Sequence, residues 1–166
     1  MSKYSRCVVV AVVGLMSLSA VAGADPVDLL LKLEGSWEVD LGATGGGKQA
    51  TCVGQKIAGG KGIYTIFKRE MKKETYSAHA IWTFDPETKK VYVYEINSYG
   101  DVFEHVGNFG KDGKLRLVRY TRRGKRAVVQ KTMMTWKSPG EIVSKIDEKV
   151  KGRWESFTFT FKKNDM

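Results

Sequence analysis

Ser156-Phe157-Thr158-Phe159-Thr160-Phe161 alternates hydroxylated and aromatic residues without a break. A period of two puts the three rings on one face of a strand and the hydroxyls on the other. The same β-rich character returns upstream in Val91-Tyr92-Val93-Tyr94-Glu95-Ile96. Turn residues separate such runs: Gly59-Gly60, Asp85-Pro86, Tyr99-Gly100, Asp112-Gly113, Arg123-Gly124, Pro139-Gly140 and Gly152. From Pro86 onward these breaks fall roughly every 12 to 15 residues, the spacing of strands joined by hairpins.

The pattern predicts about ten strands, over 35–41, 49–57, 62–70, 75–84, 90–98, 101–109, 114–121, 126–136, 140–149 and 152–162. No long helical segment separates any two of them, so the crossovers of a parallel sheet are excluded. A meander this long carries two exposed edges unless it closes on itself, and closure removes both. The one credible helix is Pro26–Leu33, where Asp25 can cap, Pro26 suits the first turn, and Leu29, Leu30 and Leu33 share a face. The expected fold is all-β: a single antiparallel up-and-down barrel of about ten strands, preceded by a short helix, within residues 25–166.

Residues 1–24 read as a targeting segment and not as fold. Lys3 and Arg6 form a positive head, Cys7–Leu18 is an apolar run short for a bilayer, and Ala22-Gly23-Ala24 offers a small-x-small cleavage site. No Cys stands at the cut, so a lipoprotein anchor is not indicated. The plainer alternative is an uncleaved N-terminal anchor. Export to the periplasm or beyond is the reading adopted. Cleavage removes two bases and no acid, which lowers the net charge from +10 to +8. It also leaves Cys52 as the sole cysteine, so no internal disulfide is expected. Cys52 itself, in a Thr-Cys-Val run, reads as a small buried apolar residue.

The whole chain has 166 residues, which is room for one domain, and 28% charged residues, which is globular and not disordered. Two Cys and two His leave little material for a metal cage.

A short helix leading into Leu33-Glu34-Gly35-Ser36-Trp37-Glu38-Val39 resembles the opening of calycin barrels, the lipocalins and their relatives. The resemblance implies that Trp37 plugs the closed end and that a basic residue of the last strand packs over it, with Arg153 or a near neighbour as the candidate. Residues 35–37, 59–60, 84–86, 98–100 and 110–114 are together similar to the motif order of an exported bacterial family, domain of unknown function 1579. That family is lipocalin-like and has no agreed activity, so the likeness speaks to fold and not to chemistry. Ten-stranded haem-binding relatives take an axial His from near the C-terminus. No His follows His105 here, so no haem site carries over and no cofactor is expected.

Gly42-Ala43-Thr44-Gly45-Gly46-Gly47-Lys48-Gln49 nearly spells a phosphate loop, but Gln49 replaces the Mg²⁺-holding hydroxyl and a strand-like run follows. A first hairpin loop at a barrel mouth is the better reading. Residues 114–126 hold seven bases and no acid. Arg119, Arg122, Arg123, Lys125 and Arg126 are the candidate patch for an anionic envelope surface, against the plainer reading of a solvated hairpin tip. No nucleic-acid module is present, and no nucleic-acid partner is expected.

A ten-stranded barrel is wider than its own side chains fill, so it tends to keep a cavity open at one end. The leading function is a non-catalytic exported barrel that binds a small apolar or amphipathic molecule. Tyr92, Tyr94, Phe103, His105, Tyr120, Met134 and Trp136 are the wall or mouth candidates. Which face of each strand points inward is left open, because several strands are apolar on both faces. Two other readings remain: a cavity enzyme using His79 or His105 as acid and base, and an envelope protein acting through its basic flank alone.

Overall fold

The structure, a computed structural model, describes residues 25–42, 49–121 and 127–164. Residues 1–24, the centre of the glycine-rich loop at 43–48, and Arg122, Arg123, Lys125 and Arg126 lie outside the described residues.

The helix α1 (Pro26–Leu31) starts where the sequence predicts, with the Asp25 side chain accepting a hydrogen bond from the Val27 amide at 2.8 Å. It ends two residues early. The Leu33 amide donates to the Leu30 carbonyl, and the chain turns out into the first strand at Gly35. Its own Leu29 and Leu30 are the buried residues.

Ten strands follow: β1 (Gly35–Asp40), β2 (Gln49–Ile57), β3 (Gly62–Glu70), β4 (Thr75–Asp85), β5 (Lys90–Asn97), β6 (Val102–Phe109), β7 (Leu115–Tyr120), β8 (Val128–Ser138), β9 (Glu141–Val150) and β10 (Arg153–Lys163). Each pairs with its sequence neighbour, and β1 pairs antiparallel with β10 to close the barrel. An even strand count is what lets first and last meet antiparallel. Short polar turns hold the hairpins. The Asp85 carboxylate accepts from the amides of Glu87 and Thr88, and the Asn97 side-chain carbonyl accepts from those of Tyr99 and Asp101.

One end is sealed. Trp37 is 1% exposed, and its indole Nε1 donates to the Leu33 carbonyl at 3.0 Å. Ile63, Val91, Leu115 and Ile142 are fully buried in the same cluster. The segment at Leu33 crosses directly over β2. A Cβ on Gly54 would sit 2.0 Å from the Leu33 carbonyl oxygen, so only glycine admits that crossing. The cation over Trp37 is Lys163, with Nζ 5.5 Å from the ring centroid. Arg153 is not that cation: it opens β10 at the far rim, opposite Val150, whereas Trp37 faces Lys163 at the strand's other end. The last strand supplies the base, as the resemblance implies, but from its final residue.

Candidate functional site

Above the sealed floor the barrel encloses a cavity of about 600 Å³. Its shape follows from strand parity. Phe157, Phe159 and Phe161 point inward together, as their alternation predicts. Phe67 and Trp82 complete an apolar wall with the two small residues Ala78 and Ala80. The indole Nε1 of Trp82 is satisfied within that wall by Thr65 Oγ1 at 2.9 Å. Cys52 also lines the cavity; burial pushes its thiol up to about 12, so it is a protonated apolar wall residue and not a nucleophile.

The opposite wall is polar. Val93, His105, Arg119, Gln130 and Glu148 stand directly across from one another on β5 to β9, forming one continuous inward row. Glu95, opposite Phe103, lies next to it towards the mouth. An Arg119 Nη2 donates to the Glu148 carboxylate in a close ion pair, and the guanidinium lies 4.2 Å from the centroid of the Phe103 ring. Burial raises the Glu95 carboxyl above the usual carboxylate range; the Arg119 charge opposes that rise and Glu148 adds to it. His105 is 7% exposed, and burial pulls its imidazole from 6.5 down to about 4, with the Arg119 charge adding to the fall. At neutral pH the ring is uncharged. Its Nε2, and Nε of Arg119, find no hydrogen-bond partner among the described residues. At the rim, Tyr76 and Tyr99 lie 5.6 Å apart, and the Tyr99 hydroxyl donates to Glu74 at 2.9 Å.

Of the seven wall candidates, Phe103, His105 and Met134 line this cavity. Trp136 sits lower, against Phe109 at 5.7 Å and the floor cluster. Tyr92 and Tyr94 face outward, stacked on each other with 6.4 Å between centroids, because Val91 and Val93 take the inward positions of β5. Tyr120 follows a shift in register after Arg119 and does not line the cavity.

The basic flank is also rearranged. Arg119 is not on the surface: it shares the parity of Leu115 and Leu117 and enters the barrel, where its side chain is 12% exposed. Lys114 and Arg116 are both tied to Asp112, Arg116 through two hydrogen bonds of 2.9 and 2.7 Å. That pairing holds the Asp112 carboxyl well below the usual range.

His79 lies on the outer wall, its Nδ1 2.5 Å from the Tyr64 hydroxyl. It does not enter the cavity, and His105 has no carboxylate or phenol bonded to its Nε2 among the described residues. Nor do any three His, Cys, Asp or Glu side chains among those residues gather to hold a metal ion.

The sequence reading missed Glu95, Gln130 and Glu148. The signal for Glu95 is parity alone: once Val91 and Val93 are inward, so is Glu95. Gln130 and Glu148 carry no local signal, since they join the row only through cross-strand register. No protein-family model matches the chain, and no curated protein matches its sequence.

Proposed function

We propose that this chain is an exported lipocalin-like barrel that binds a small, partly apolar molecule in its interior and carries out no catalysis. The observation behind this reading is the cavity: about 600 Å³, sealed at one end, apolar on one wall and polar on the other. That size and mixture suit a compact amphipathic ligand. The positive head, apolar run and small-x-small site before Asp25 support export, as does the likeness to an exported family. The acid/base reading is weaker, because His79 is outside the barrel and the pair that catalysis needs is not assembled at His105. The envelope reading loses Arg119 to the interior and keeps only residues outside those described.

A thermal-shift screen of lipids and aromatic metabolites tests this function. A ligand that raises the melting temperature in a saturable, concentration-dependent way is the expected result. No stabilisation by any compound, together with a packed interior in an experimental structure, contradicts it.

A further inference from the structure

The polar row restricts the chemistry of the ligand's head. His105 is more than nine-tenths buried and lines the cavity with an unpartnered Nε2. Its directly opposed neighbour, Arg119, has an unpartnered Nε–H. A bound molecule that displaces water and satisfies both groups gains hydrogen bonds that an apolar ligand cannot make. The Arg119 charge is already held by Glu148. A carboxylate head would stand beside Glu148 and Glu95, and an ammonium head would face Arg119. A hydroxyl has neither fault. Its oxygen accepts from the guanidinium Nε–H. Its proton is donated to the lone pair of imidazole Nε2, the acceptor that the uncharged ring presents when Nδ1 carries the hydrogen. An ether oxygen, with no proton to give, leaves that lone pair unmet.

We infer that the cavity takes a neutral, hydroxyl-bearing apolar molecule, with its hydroxyl seated between His105 Nε2 and Arg119 Nε and its apolar body against Phe67, Trp82 and Phe159. This rests on the cavity-binding reading and sharpens it.

The test is calorimetry of the full chain with four probes of one length: decan-1-ol, 1-methoxynonane, decanoate and decylammonium. The ether matches the alcohol atom for atom but has no hydroxyl proton. Decan-1-ol should bind about threefold to tenfold tighter than the ether, the effect of one hydrogen bond, and tighter than either ion. His105→Phe should erase the advantage of alcohol over ether, and His105→Gln, which keeps a donor and an acceptor, should restore part of it. Because the probe series runs on the unmutated protein, the result stands even if a variant folds poorly. Tightest binding by decanoate, which Arg69 at the cavity lining could hold, or by decylammonium overturns the neutral head and leaves cavity binding intact. Equal affinity for alcohol and ether overturns the hydroxyl seat. No binding by any probe counts against the cavity reading and the inference together.

Discussion

His105 and Trp37 are both buried aromatic residues, but they serve opposite purposes. Trp37 has its indole hydrogen satisfied at 3.0 Å and a cation across its face, so it is structural. Trp37→Ala should cost about 3–5 kcal/mol through the void left in the floor, and ligand binding should fall only as folding fails. A melting curve checks this; an unchanged melting temperature with abolished binding would place Trp37 at the mouth instead. His105 has an unsatisfied ring nitrogen and a pKa pulled to about 4. The unfolded chain takes up a proton as pH falls through about 6.5, whereas the folded chain resists until about 4. Stability is therefore lost as pH falls through that window, by on the order of 3 kcal/mol from this group. Glu95, raised by burial, works in the opposite direction as its carboxyl protonates. Comparing melts of the native protein and His105→Gln from pH 7 to pH 4 isolates the His105 share, since Glu95 is common to both. The native protein should lose more. Parallel curves would mean that His105 is not buried uncharged.

At the scale of elements, the strands were legible and their facing was not. Turn residues and period-two runs predict all ten strands to within about two residues, because hairpin punctuation is local chemistry. The three alternating phenylalanines of β10 also reveal their inward face. In β5, Val91 to Tyr94 is apolar at every position, so nothing local decides that the valines turn in and the tyrosines turn out. In β7 the parity was present in Leu115, Leu117 and Arg119, but a base beside a basic turn reads as surface. Its partner Glu148 lies 29 residues away and is brought there only by register. The pairing of β6 with β7 has its own check. A Cβ on Gly107 would stand 1.7 Å from the Arg116 carbonyl oxygen, and backbone cannot retreat as a side-chain tip can. Gly107→Ala should therefore cost about 3 kcal/mol or more. Gly140→Ala, where the nearest atom is 3.9 Å away, should be close to neutral in the same denaturation series. Equal stability of the two variants would contradict the close approach at Gly107.

The whole molecule is a consequence of closure. Ten antiparallel strands leave no edge, and the short helix and Trp37 seal one end. Ten strands also enclose more space than the inward side chains fill, which leaves the two-sided cavity. Barrel and seal were foreseeable from strand count and the Gly-x-Trp opening. The polar row was not, because it exists only once five strands are placed side by side. If this interior holds one apolar or amphipathic molecule, filling the space should expel it. Ala80 is the position to fill: it is small, buried and on the cavity wall, opposite Thr65 and Glu95. A fluorescent apolar probe should titrate to one per chain on the native protein. Ala80→Trp, which fills the space, should weaken that binding at least tenfold while the melting temperature holds or rises. Undiminished probe binding by a folded Ala80→Trp variant would place the binding site outside the barrel, against an interior ligand.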